Sequence, residues 1–323
     1  MHDQKLRHNI WFKLIIFIVT IFSMSLAGCN HTRQYISLFK NESDLFALQS
    51  DGAVYHLDNG MNKKKPVEKL PVNGGASAFF QNEYYYYVDG RTLISYSLSD
   101  RTSKVLCAVK SGDYADIEMV MGNHVIFKTS QKVNGTFGQY VYFDFNLQTS
   151  KTTPMTGDLF PSDHLLTFLA AYDTKVFFTD QNKIKLAEID LDDMAVTDLS
   201  SQLEFTPVKA CISNDTLYLC AWHEALYYMP LDSKPVVQQV KLNTPSRNPG
   251  AMATYATGVL ISMDDKELNS VIYYLAGKDL SLKQVSDSRF KAWNVWHIMG
   301  IDDRFYCIDS DGQDIKTGLM TEK

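Results

Sequence analysis

The sequence lacks the short motifs that mark the common catalytic sites. Its 323 residues contain no G-x-S-x-G nucleophile turn, no H-E-x-x-H zinc helix and no phosphate-binding glycine loop. The eight histidines are scattered along the chain. We therefore predict no catalytic residue, no metal site and no cofactor, although some enzymes assemble a site from distant segments.

The chain also lacks a positive excess and has few cysteines. Its net charge of −6, without a basic stretch after the N-terminal segment, disfavours nucleic acid as a partner. Four cysteines follow Cys29, and none shows C-x-x-C spacing. Cys211 and Cys220 fall on two strands joined by a turn at Asn214–Asp215, with Cys211 opposite Tyr218. The Cys211–Cys220 diagonal of roughly 7–8 Å is too long for easy bridging, so all four are predicted to be buried free thiols.

The N-terminus has the order of an export signal. Lys5, Arg7 and Lys13 form a basic region. The apolar run Leu14–Phe22 follows, and it is shorter than the roughly 20 residues of a typical membrane span. Small residues and the tetrapeptide Leu26–Cys29 (LAGC) come next.

This tetrapeptide resembles the lipobox of bacterial lipoproteins. In that family the cysteine sulfur receives diacylglycerol, the preceding bond is cut, and the new amine is often acylated with a chain such as palmitate. The resemblance implies a signal peptide at 1–28, a lipidated tether at 29–33 beginning with Cys29, and a domain at 34–323. We expect a lipid anchor that holds the domain to the cell membrane, outside the cytoplasm. An uncleaved N-terminal anchor is the alternative.

A pattern of an apolar strand, a polar turn and a second strand recurs along the chain. Its anchors are spaced 40 to 50 residues apart and are Phe46, Tyr86, Phe127, Phe177, Leu219, Ile261 and Tyr306. Further apolar stretches flank most units, so each repeat supplies about four strands. The longest gap contains a polar insertion, Gln131–Gln139, between the paired strands of the third unit.

Four strands per repeat, without an intervening amphipathic helix, is typical of a β-propeller. We predict an all-β, monomeric propeller with seven blades of about four antiparallel strands, with six or eight blades as alternatives. The last unit has no room for a fourth strand. The segment Gln34–Phe39 either completes that blade or begins blade one and leaves a three-stranded seam.

Three units loosely match an aromatic-aromatic-x-Asp pattern at the end of their first strand: Tyr86–Asp89, Phe177–Asp180 and, with Cys in second place, Tyr306–Asp309. They resemble the YWTD-type propeller of low-density-lipoprotein-receptor relatives, and bacterial lipoproteins with such propellers are similar over most of 34–323. The other four units depart from the pattern. The resemblance implies a scaffold motif, and ligand binding more often than catalysis.

The candidate ligand-binding residues are Trp222, His223 and Glu224 in one turn, Arg247 in a polar inter-blade loop, and Asp311. Asp311 belongs to a series of acidic turn residues that either bind a cation or simply form tight turns, and we expect the turns. A calcium loop at 309–314 lacks the bidentate glutamate that calcium loops use. Trp293 and Trp296 are expected to pack in the core from an inner strand.

These features favour a non-catalytic binding or scaffold propeller whose ligand is an envelope protein or glycan. The alternative is an envelope polysaccharide hydrolase or lyase with a site in the channel mouth. That alternative requires charged and aromatic side chains to converge there.

Overall fold

The computed structural model describes residues 34–41, 44–57, 66–70, 79–81, 83–109, 112, 114–133, 135–180, 183–221, 226–232, 236–240, 248–277 and 279–320. The predicted signal peptide, Cys29 and the tether lie outside them. The described strands belong to one compact unit, Tyr35–Lys323. No helix in this part of the chain is long and apolar enough to cross a membrane.

The described chain forms seven antiparallel sheets, which we call blades 1 to 7, and in each the strands pair in chain order. A single 3-10 turn, Ser200–Gln202, accompanies the strands described. Blade 1 comprises β1 (Tyr35–Asn41), β2 (Asp44–Gln49), β3 (Ala53–Leu57) and β4 (Glu68–Lys69). Blade 2 comprises β5 (Phe79–Gln81), β6 (Tyr84–Asp89), β7 (Thr92–Ser97) and β8 (Thr102–Ala108). Blade 3 comprises β9 (Tyr114–Met121), β10 (His124–Val133), β11 (Thr136–Asn146) and β12 (Lys151–Met155).

The remaining blades repeat the same meander. Blade 4 comprises β13 (Thr167–Tyr172), β14 (Lys175–Thr179), β15 (Ala187–Asp190) and β16 (Val196–Asp198), and blade 5 comprises β17 (Pro207–Ser213), β18 (Thr216–Ala221), β19 (Leu226–Pro230) and β20 (Gln238–Val240). Blade 6 comprises β21 (Asn248–Tyr255), β22 (Gly258–Asp264), β23 (Ser270–Ala276) and β24 (Leu282–Gln284). Blade 7 comprises β25 (His297–Ile301), β26 (Arg304–Ile308) and β27 (Ile315–Leu319). All seven predicted anchors lie in the second strand of a blade, so the predicted seven-bladed β-propeller is confirmed.

The blades pack face to face, and this explains why their middle strands read as continuous apolar runs. Every residue of β22 is buried, and in β18 only the first is not. Seven apolar clusters each join two consecutive blades. The seventh cluster joins the last blade to the first through Tyr35, Leu38, Leu45, Ala47, Tyr306, Ile308 and Ile315. The ring is therefore closed.

The closure follows the second of the two predicted alternatives. The strand β1 pairs with β2 and opens blade 1, so blade 7 has three strands in the described chain. A backbone hydrogen bond crosses the seam, since the Tyr35 N–H donates to the carbonyl of Gly312 at 2.7 Å. Side-chain packing, rather than a shared sheet, holds the first and last blades together.

Two local predictions are refined by the structure. The polar insertion of the third unit lengthens the β10–β11 hairpin, since Gln131 pairs with Gln139. Cys211 lies opposite Tyr218 as predicted, and Asn214 and Asp215 form the connecting turn with positive φ angles of 46° and 52°. All four propeller cysteines are free thiols, but Cys107 and Cys211 are only partly buried.

Meander topology determines which loops share a face. In each blade the turn between strands two and three, and the connection to the next blade, lie at the same end of the sheet. We call this end of the propeller the connection face. The described acidic turns between second and third strands belong to this face by their positions in the repeat.

Candidate functional site: a cleft on the connection face

Most of the predicted ligand-binding residues lie outside the described chain. Trp222, His223 and Glu224 fall in the gap 222–225, and Arg247 falls in the gap 241–247. Asp311 is described, and its Oδ1 accepts the backbone N–H of Gln313 at 2.9 Å. Although burial opposes the change, this bond lowers the pKa of Asp311. Asp311 therefore supports its own turn.

Two other described turn acids also support their own turns. Asp51 accepts the N–H of Ala53 at 3.0 Å, and Asp265 accepts those of Glu267 and Asn269 at 3.0 and 2.9 Å. These bonds satisfy backbone donors inside the turns themselves, as Asx turns do. Within the described residues, no group of three or more His, Cys, Asp or Glu side chains could hold a metal ion.

The most elaborate of these acids is Asp180, the last residue of the second aromatic-aromatic-x-Asp unit. Its Oδ1 accepts the N–H groups of Lys183 and Ile184, both at 2.7 Å, and its Oδ2 lies 2.8 Å from Nδ1 of His164. The Asp180 side chain is fully buried. It joins the connection before blade 4 to the turn within that blade, which is a scaffold role.

An open cleft of about 580 Å³ lies on the connection face beside blades 6 and 7. Ligand sites commonly measure roughly 300–1,000 Å³. One wall is the β22–β23 turn, and the other is the connection 285–296 that leads to blade 7. Its lining includes Asp265, Asn269, Gln284, Asp287, Ser288, Phe290, Lys291, Trp293 and Asp309.

Backbone hydrogen bonds hold the two walls together. The Ser270 N–H donates to the carbonyl of Ala292 at 3.0 Å, and the Asn294 N–H donates to that of Leu268 at 2.7 Å. Asn269 and Trp293 also form an antiparallel bridge. The cleft is thus built on paired backbone rather than on unsupported loops, which favours a preformed site.

The prediction that Trp293 and Trp296 pack in the core is wrong. They are 50% and 38% exposed, and both precede β25, which begins at His297. Asn294 between them has a φ of 49°, so the backbone is not extended and a strand's alternation does not apply. The Trp293 Nε1–H donates to the carbonyl of Glu267 at 3.2 Å, and that of Trp296 to the carbonyl of Asp309 at 3.0 Å.

Asp309 lies in the cleft lining, and its residue surface is only 3% exposed. Its Oδ2 accepts the Trp293 N–H at 3.3 Å, while its Oδ1 has no hydrogen-bond partner in the described chain. Burial and then the neighbouring Asp311 carboxyl raise the pKa of Asp309. Asp309 and Asp311 can share one proton, and only when both carboxyls are ionised does Asp309 Oδ1 face a second acceptor rather than a donor. A buried acceptor without a donor is costly, so a ligand that donates here gains affinity.

The first strands of several blades carry further titratable groups. Lys209 on the inner strand β17 is exposed to solvent, yet desolvation by the surrounding protein lowers its pKa. Burial also lowers the pKa of His297, the first residue of β25, to about 4, and a hydrogen bond to the Leu38 backbone only partly opposes this. On the inner strand β9, burial raises the pKa of Glu118, which forms an ion pair with Lys128.

The sequence did not predict the cleft, because its lining residues come from an inter-blade connection and from a motif that was interpreted as scaffold. The available signal was the connection 285–296 itself, since it combines a polar run, Ser286–Arg289, with two tryptophans. A polar connection favours surface placement of the aromatic residues within it.

Neither a scan against protein-family models nor a search of curated proteins finds a match to this sequence. Solved structures share its fold at low identity. A catalytically inactive virginiamycin B lyase from Staphylococcus aureus, with quinupristin, has 11% identity and a TM-score of 0.64, covering 91% of this chain and 97% of that one. YCF48 bound to D1 peptide has 10% identity and a TM-score of 0.62, covering 90% and 94%. The extracellular domain of BT4673 from B. thetaiotaomicron has 10% identity and a TM-score of 0.61, covering 90% and 38%. These similarities establish the β-propeller fold alone.

Proposed function

We propose that this protein is an exported, lipid-anchored β-propeller that binds an envelope ligand on its connection face without transforming it. The cleft beside blades 6 and 7 is the observation that carries the proposal. It combines a preformed backbone, a half-exposed tryptophan and a buried carboxylate oxygen that lacks a donor. Tryptophan is enriched where proteins make their strongest contacts.

The membrane anchor is proposed from the lipobox-like sequence that ends at Cys29. Only residues 29–33 separate the lipid from the propeller, so the ligand should be a component of the envelope near the membrane surface. Related folds accommodate different roles, including a lyase and a peptide-bound protein, so fold similarity alone does not select one.

Metabolic labelling tests the anchor. The full chain is expressed in a bacterial host with radioactive palmitate, together with Cys29→Ala and the control Cys107→Ala. We expect label on the wild type and on Cys107→Ala, and none on Cys29→Ala, because acylation requires the Cys29 sulfur and amine. Equal labelling of all three chains, or of none, contradicts lipid anchoring.

Site-specific photo-crosslinking in cells tests ligand binding. A photo-reactive phenylalanine analogue replaces Ser288, an exposed residue of the cleft lining, or Val105, which is 62% exposed on β8 of blade 2. We expect a discrete adduct from position 288 that disappears when Trp293→Ala is added, and none from position 105. Absence of an adduct at 288, or equal adducts at both positions, contradicts a binding role for the cleft.

An assay of envelope polysaccharide separates binding from catalysis. The purified full chain should release no new reducing ends and no unsaturated products from cell-wall or capsular polysaccharide. Release that depends on His297 or Lys209 would replace the binding proposal with the hydrolase or lyase alternative.

A further inference from the structure

The chemistry left open in the cleft identifies a class of ligand, an inference that rests on the proposed binding function. Two of its lining carboxylates are already engaged. Asp265 accepts two N–H groups of its own turn, and Asp287 lies 2.7 Å from Nη2 of Arg289. Neither is a free charge for a ligand.

Two polar groups remain available to a ligand, the Asp309 carboxyl and the Lys291 ammonium. Asp309 Oδ1 has no hydrogen-bond partner, and the Lys291 ammonium forms no ion pair among the described residues. The exposed Ser288 hydroxyl adds a group that both donates and accepts. A cationic ligand would meet Lys291, and an anionic ligand would meet Asp309. A neutral ligand that both donates and accepts hydrogen bonds satisfies both groups.

Trp293 supplies the apolar part of the site. Its Nε1–H is committed to the Glu267 carbonyl and its backbone N–H to Asp309, so the ring is held in one orientation with half of its surface exposed. A flat aromatic surface beside paired donors and acceptors matches a sugar ring. The C–H face of the sugar stacks on the indole, and its hydroxyl groups reach the polar side chains.

We infer that the cleft beside blades 6 and 7 is a binding site for a neutral saccharide. The sugar stacks on Trp293, donates a hydroxyl hydrogen to Asp309 Oδ1 and accepts one from Lys291. A volume of about 580 Å³ admits a short oligosaccharide rather than a single atom or ion.

Titration calorimetry with defined probes tests the inference. The full chain is kept in a polyoxyethylene detergent, since glycoside detergents would compete for the cleft. The neutral probes are cello-, chito- and malto-oligosaccharides, and the charged probes are oligogalacturonate, deacetylated chitosan oligomers and trilysine. We expect at least one neutral probe to bind with an affinity that changes less than about two-fold between 50 and 500 mM salt, because no net charge is screened.

The variants place the binding in the cleft. Trp293→Ala should weaken the neutral probe at least about ten-fold, as loss of an aromatic anchor does. Trp293→Tyr should recover part of the loss because it restores a stacking surface. Asp309→Asn should weaken binding less than Trp293→Ala does, since its amide can still present an oxygen. Val105→Ala is the matched exposed control and should have no effect.

The outcomes also separate this inference from the proposed function. If only a charged probe binds, with Trp293 dependence and a strong salt dependence, the cleft is a binding site but the assignment of a neutral saccharide is wrong. If no saccharide binds while the adduct at position 288 forms in cells, the assignment is again wrong and the binding function stands. If a neutral saccharide binds equally well to Trp293→Ala, the site lies elsewhere and the inference is overturned.

Discussion

Asp180 and Asp89 occupy the same position in two repeats, and the structure predicts opposite sensitivities to substitution. Asp180 accepts two backbone N–H groups at 2.7 Å and pairs with His164 at 2.8 Å. Asp180→Ala removes the acceptor of all three donors, of which the Ile184 N–H is buried. Each buried donor left unpaired costs about 1–3 kcal/mol, and each hydrogen bond to a charged group contributes about 1.5–3 kcal/mol. We expect a loss of about 3–5 kcal/mol.

Asp89 is the matched control because it ends β6 exposed, and no hydrogen bond from its side chain is found among the described residues. Asp89→Ala should therefore change the free energy of unfolding by less than about 0.5 kcal/mol. Thermal unfolding of the detergent-solubilised full chain checks both, with a Tm decrease of roughly 6–12 °C expected for Asp180→Ala. Equal decreases for the two variants would falsify the view that the Asp acts through its turn contacts rather than through the motif as such.

Three further predictions concern packing, pH and thiol chemistry. Gly250→Ala should lower the Tm, because a Cβ there would lie 2.4 Å from the Val295 carbonyl oxygen. An unchanged Tm would mean that the backbone of β21 and the connection to blade 7 can move apart at little cost. Since burial lowers the pKa of His297 from 6.5 to about 4, the unfolded chain binds the proton first, and stability is lost as pH falls between these values. The loss should reach about 3 kcal/mol relative to His297→Gln, and identical pH profiles of urea unfolding would contradict it. Burial raises the pKa of Cys211 to about 12, so this thiol should react with a disulfide reagent at pH 8 only after denaturation.

Much of the fold could be predicted because the repeat is encoded in apolar runs. A strand buried on both faces needs apolar residues at successive positions, and the anchors Leu219 and Ile261 lie in such strands. Ring closure could not be predicted, because a short apolar segment such as Gln34–Phe39 can pair with a strand on either side of the seam. The choice depends on whether β1 pairs with β2 or with a strand of blade 7, and a hydrogen-bond register leaves no trace in composition.

The cleft was less predictable than the blades. Its aromatic residue belongs to a connection whose path is determined by turns, including the positive φ of Asn294. The prediction for Trp293 and Trp296 assumed an extended strand and so assigned both to the core. An irregular backbone removes the period that makes such an assignment meaningful.

The open oxygen of Asp309 has a traceable cause in the turn that follows it. In blade 4 the turn after Asp180 returns two N–H groups to the carboxylate. In blade 7 the corresponding donors are committed elsewhere: the Gly312 N–H bonds the Asp309 carbonyl, and the Gln313 N–H bonds Asp311. Asp311, which was predicted to bind ligand, accepts the Gln313 N–H. The equivalent donor in blade 4, the Ile184 N–H, bonds Asp180 itself. The same scaffold residue is thus satisfied by its own turn in one blade and left open in another, which is how a structural repeat can acquire a binding site without a new motif.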